Sequence, residues 1–117
     1  MPKPSSSLLI AWCIASCSTA AQDDVGAAAG REIAHDPYLG NCLACHRIPG
    51  DTSAVTLATI GPPIADMRAR FPDRAELRSQ IWDPTLRNPY TVMPPFGKHG
   101  VLTERQIDLV LDYIYQY

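Results

Sequence analysis

Cys42, Leu43, Ala44, Cys45 and His46 constrain this chain more than any other run of residues. Two thiols with two residues between them fit on one helical turn, and an imidazole follows directly. This C-x-x-C-H spacing is the attachment signature of c-type haem. The chemistry accounts for each position. The thiols add across the vinyl groups of the porphyrin and form thioether links, and the adjacent histidine reaches under the ring to become the proximal iron ligand. Cys42 and Cys45 are therefore the candidate attachment points for one covalent haem c, and His46 is a candidate axial ligand. Other uses of the pair fit less well. A thioredoxin-type site wants a βαβ context, and none follows. A zinc site wants a second Cys or His pair. A disulfide between Cys42 and Cys45 leaves His46 unexplained.

The N-terminal segment reads as an address. Residues 1–7 are polar with one cation, Lys3, residues 8–15 are a compact apolar stretch, and Ser18, Thr19 and Ala20 are small residues of the kind a signal peptidase reads. This is the layout of a secretory signal over 1–20, with the folded domain at 21–117 and export to the periplasm. The alternative is an N-terminal core helix. Ile14, Ala15, Ser16 and Cys17 also resemble a bacterial lipobox, in which Cys17 would carry a lipid anchor. On either reading Cys42 and Cys45 are the cysteines left for the domain. The 117 residues allow one domain. A hydrophobic share of 46% and a charged share of 19% are those of an ordinary globular protein. A formal net charge of -2 argues against a nucleic-acid partner, and no apolar run reaches the roughly 18 residues of a membrane span.

A low-spin electron carrier needs a second axial ligand, commonly methionine. Met93 lies in a segment dense in proline and glycine, residues 88–97, where restricted dihedrals hold a weak thioether ligand at low entropic cost. Met93 is the candidate. His99 is the alternative, giving bis-histidine ligation, while Met67 reads as core or pocket lining. His35 reads as a helix C-terminal residue, where partial positive charge is favourable.

The scaffold reads as all-α. Asp23 and Asp24 are expected to cap an alanine-rich first helix over 25–34, stopped at Asp36 and Pro37. The haem motif opens a short helical turn, 47–59 is loop, and 60–63 is a turn. Asp73 opens a helix ending at Trp82, with Leu77 and Ile81 on one face and Asp83-Pro84 as its stop. Thr103 and Gln106 form a capping box for the last helix, whose Ile107, Val110, Leu111 and Ile114 make an apolar stripe. Tyr113 or Tyr115 is expected against the glycines of the first helix. Arg68, Arg70, Arg74, Arg78 and Arg87 read as a solvated face that includes a candidate partner for a haem propionate.

The fold this implies is a class I cytochrome c-like helical domain around one haem. In cytochromes c a proline carbonyl near this turn commonly accepts a hydrogen bond from the proximal histidine, which assigns that role to Pro62 toward His46. From the haem motif onward the chain resembles one narrower family. The matching residues are 40–46, 59–62, 70–73, 80–84, 88–89 and 92–103, and Trp82-Asp83-Pro84 and Met93-Pro94-Pro95-Phe96-Gly97 are the most specific blocks. They resemble SoxX, the small monohaem cytochrome subunit of the SoxAX complex of bacterial sulfur oxidation. The resemblance implies a periplasmic electron-transfer subunit of an L-cysteine S-thiosulfotransferase. Its partners would be a SoxA-like dihaem or monohaem cytochrome, the SoxYZ carrier reached through the complex, and a downstream electron acceptor. In that family the reactive cysteine belongs to SoxA, which agrees with the absence of a spare cysteine in the domain here. Two other readings stand beside it. One is a free-standing periplasmic electron carrier, and the other is a haem sensor or peroxidase domain with an open iron position.

Overall fold

The computed structural model describes Met1 and residues 18–117, with side chains from Asp24 onward. The secretory-signal reading, apart from its last few residues, and the lipobox Cys17 lie outside the described residues. Among those described there are four α-helices and two single 3-10 turns, and no strand. The helices are α1 (Ser18–His35), α2 (Met67–Arg70), α3 (Arg74–Trp82) and α4 (Glu104–Ile114), and the 3-10 turns are Cys42–Ala44 and Pro84–Leu86.

The expectation that Asp23 and Asp24 cap α1 is corrected, because the helix opens at Ser18. Residues 18–24 contain neither proline nor glycine and include two alanines, so nothing local interrupts the helix ahead of the acidic pair. Its C-terminal end falls where expected. The Asp36 N–H still donates to Glu32 O at 3.0 Å, and Pro37 has no N–H with which to continue the ladder.

Helix α4 packs along α1, and glycine makes the close approach possible. A Cβ on Gly30 would lie 1.8 Å from Leu109 O and 3.0 Å from Tyr113 Cβ, and one on Gly26 would lie 3.0 Å from the Asp112 carboxylate. Tyr113, not Tyr115, is thus the tyrosine against the first helix. Helix α4 starts in the expected capping box. Gln106 N–H donates to Thr103 Oγ1 at 3.2 Å, and Thr103 N–H donates to Gln106 Oε1 at 2.9 Å. The four residues of its stripe are all buried. Helix α3 is capped by Asp73, which accepts from Ala75 N–H at 2.8 Å, and buries Leu77 and Ile81.

Two elements were not foreseen. Helix α2 follows Asp66 in the left-handed region (φ 53), and the Met67 N–H donates to Tyr117 O at 2.8 Å, which ties the chain end down. At the expected stop after Trp82, the Asp83 carboxylate accepts from Thr85 N–H at 3.1 Å and opens the second 3-10 turn.

The arginines are less free than a solvated face implies. Arg74 pairs with Asp112, and Arg78 pairs with Asp108 at 2.6 Å and Glu104 at 3.4 Å, joining α3 to α4. Arg68 donates to Tyr115 O and Arg70 to Pro63 O. Exposed pairs of this kind contribute about 0.2–1 kcal/mol each, so they orient the helices more than they hold them.

Behind α1 and α4 lies a polar knot. The Tyr113 hydroxyl donates to Asp51 Oδ2 at 2.6 Å, His35 Nε2 is 3.0 Å from the same hydroxyl, and Arg31 Nε lies 3.4 Å from Asp51 Oδ2. Burial raises the Asp51 pKa, but hydrogen bonds from Ser53 and Tyr113 together with the Arg31 charge outweigh it and hold the carboxyl well below its ordinary value. The stabilisation is therefore complete above the unfolded value near 3.8 and is lost as pH falls below it.

Two outcomes follow from this packing. Gly30→Ala should push α4 off α1 and cost about 1–3 kcal/mol, read as a fall in melting temperature. Asp51→Asn should cost about 1–3 kcal/mol at neutral pH and should flatten the loss of stability on acidification, measured by denaturant titration across acid pH.

Candidate functional site

A cavity of about 870 Å³ lies among the helices. Ile64, Met67, Phe71, Leu77, Ile81, Phe96, Leu102, Val110 and Ile114 line it, so most of the buried apolar core faces it. Its size is near the upper end of the roughly 300–1,000 Å³ usual for ligand and cofactor pockets. Cys42, Cys45, His46, Pro62 and Met93 all stand on its wall, so the residues expected to attach, ligate or support the haem are brought to one place.

The proximal side is built by the haem-motif turn. Gly40 N–H donates to Ile33 O and Asn41 N–H to Asp36 O, both at 3.0 Å, which anchors the turn to the end of α1. Asn41 adopts the left-handed conformation (φ 47) that redirects the chain. Cys45 and His46 N–H groups both donate to Cys42 O, at 3.2 and 2.9 Å, and this tight turn sets both thiols and the ring on the cavity. Burial pushes the Cys42 thiol up to about 11, as expected for sulfur against an apolar wall.

The turn over 60–63 closes on that histidine. Gly61 N–H donates to Cys45 O at 2.8 Å, and a Cβ on Gly61 would lie 2.3 to 2.7 Å from three His46 ring atoms. Only glycine lets the backbone lie this close. His46 Nδ1 is 2.7 Å from Pro62 O. A carbonyl can only accept, so Nδ1 carries the proton, and the Nε2 lone pair remains free on a ring that lines the cavity.

Another part of the wall is the loop carrying Met93. Met93 N–H donates to Thr91 Oγ1 at 3.1 Å, and the Met93 side chain is partly buried. The loop is fastened to the end of α3. Gly97 and Lys98 N–H groups both donate to Trp82 O, at 3.2 and 3.1 Å. A Cβ on Gly97 would lie 2.0 Å from the Trp82 ring. Lys98 Nζ donates to Asp83 Oδ2 at 2.7 Å, and that hydrogen bond, with those from Thr85, holds the Asp83 carboxyl below its ordinary range.

The alternatives fall elsewhere. His99 is exposed and off the cavity wall, and His35 is engaged with Tyr113. Met67 lines the wall but is 4% exposed, and its sulfur accepts from Arg70 Nη1 at 3.5 Å. Of the five arginines only Arg70 and Arg87 reach the cavity rim. Among the described residues no group of three or more His, Cys, Asp or Glu side chains gathers as a metal cluster. Two free thiols, an imidazole with Nε2 unengaged and a thioether on one apolar cavity suit a haem better than a structural zinc ion.

Comparison with known proteins agrees with this geometry. Residues 27–117 match the family described as cytochrome c. The chain belongs to the cytochrome c family. A cytochrome c domain carries haem c, covalently bound, and acts as an electron carrier. A similar protein is an uncharacterized lipoprotein of Aquifex aeolicus (strain VF5), 32% identical over 76 residues, which is 65% of this chain and 36% of that protein. The chain thus spans little more than a third of that relative's length. Among the described residues no helix is long and apolar enough to cross a membrane.

In this cytochrome c, so much of the core faces the cofactor cavity that loss of attachment should undo the fold. Cys42→Ala or Cys45→Ala should yield mostly unfolded, weakly coloured protein, read by circular dichroism and haem absorbance. Well-folded, haem-free protein would contradict this.

Proposed function

We propose that this cytochrome c is the haem c electron-transfer subunit of a SoxAX-type periplasmic complex, with His46 and Met93 as the axial ligands of the iron. The haem supplies a one-electron redox centre. The polypeptide does the rest. Cys42 and Cys45 would hold the ring edge, the Pro62 carbonyl keeps His46 in the tautomer that offers Nε2, and the loop over 88–97 would supply the Met93 sulfur. The apolar wall excludes water, and Ile60, Tyr90, Val92 and Val101 form an exposed apolar rim through which an electron partner can approach.

The observation that carries the narrower reading is the seam between Trp82-Asp83 and Gly97-Lys98. The two sequence blocks most specific to SoxX are in direct contact, and together they hold the methionine loop. On this reading the chain accepts electrons while thiosulfate is joined oxidatively to the cysteine of SoxYZ. A SoxA-like cytochrome carries the sulfur chemistry, and a downstream acceptor takes the electrons on. Residues 1–20 act as the export signal and 21–117 as the cytochrome domain. The description of the Aquifex relative as a lipoprotein supports the variant in which Cys17 is lipidated. A free-standing electron carrier is the second reading, favoured by the family match, which specifies no partner.

Purification of the exported protein from its native extract tests the assignment. Copurification with a larger cytochrome bearing a reactive cysteine is expected, and a strictly monomeric product would leave the free carrier. Intact mass on the same sample reports one haem, the cleavage site and any acyl chain. Met93→Ala should abolish the methionine–iron charge-transfer band and lower the reduction potential. An unchanged iron spectrum would mean that Met93 is not a ligand.

A further inference from the structure

Gln80 stands near the end of α3 and lines the cavity. Its Nε2 lies 3.9 Å from Met93 Sδ, within hydrogen-bond range for sulfur. Its Oε1 is buried and meets no hydrogen-bond donor. A buried amide oxygen without a donor is unfavourable, and a protein retains such a group where the rest of the side chain has a task. Turning the amide over would set its oxygen against the thioether, two acceptors face to face, so the N–H end belongs on the sulfur. The distance between the two is held by the backbone. Gly97 and Lys98 bind Trp82 O, two residues beyond Gln80, so the loop and this end of α3 move as one body.

We infer that Gln80 is a positioning residue for Met93, its amide N–H engaging one lone pair of the thioether and leaving the other for the iron. The inference rests on the reading of Met93 as an axial ligand. Two consequences follow. An N–H directed at sulfur draws electron density from it and weakens its donation to iron, which disfavours the oxidised state more than the reduced one and raises the potential. The same weakening makes the thioether easier for an outside ligand to replace on ferric iron.

The test uses the ferric holoprotein titrated with imidazole, following the methionine–iron charge-transfer band, together with the midpoint potential. Gln80→Leu removes the donor. Gln80→Glu keeps the shape but offers only acceptors at neutral pH. The exposed Ser79→Ala, on the same helix, is the reference. Both Gln80 variants should bind imidazole about 10-fold more weakly and show a lower potential, while Ser79→Ala matches the wild type. Wild-type imidazole affinity and potential in both Gln80 variants would overturn the inference, and so would a fall in thermal stability alone. A wild-type protein without the methionine band would overturn the Met93 reading, and this inference with it.

Discussion

The inward faces of α2 and α3 and one part of α4 converge on a cavity, and the rest of the structure depends on that. Helix α4 meets α1 directly through Gly30, but Leu77 and Ile81 of α3 and Val110 and Ile114 of α4 also line the space between Cys42 and Met93. A domain this short buries a modest fraction of its surface, so a prosthetic group that completes the core is a structural element as well as a redox centre. Covalent linkage suits that arrangement, because a core component that never dissociates makes folding and cofactor retention a single condition.

The two faces of the cavity are built by different means. The histidine face is local: Cys42, Cys45 and His46 lie in one turn, and Gly61 and Pro62 close over the ring from a short distance along the chain. The methionine face is assembled from α3 and the loop after it, through the Trp82 carbonyl, the Trp82 ring and the pair between Asp83 and Lys98. Position on the first face follows from chain geometry, and on the second from packing.

This difference also decides what was legible in the amino-acid sequence. The haem motif, the Thr103–Gln106 capping box and the stripe on α4 are short-range patterns, and each could be read from neighbouring residues. The start of α1 was misplaced because Asp23-Asp24 looks like a cap, while the residues before it carry no breaker. Helix α2 was missed because it depends on a left-handed Asp66 and a bond from Met67 to the chain end at Tyr117. The Asp51–Tyr113 knot and the approach of Gln80 to Met93 join residues far apart in sequence. A glutamine two positions before a tryptophan carries no local mark of either partner. The five arginines looked solvated because helical spacing reveals a shared face but not the acidic side chains opposite it on α4.

The contact of Gly97 with the indole of Trp82 has a consequence for anyone who would graft parts between such proteins. A segment bearing the thioether cannot be transplanted by itself, because half of its mould belongs to the helix before it. An exchange that carried 88–100 into another scaffold without Trp82 and Asp83 would deliver Met93 without the contacts that set its loop against the cavity. The heritable unit on this side is therefore a pair of segments that must travel together.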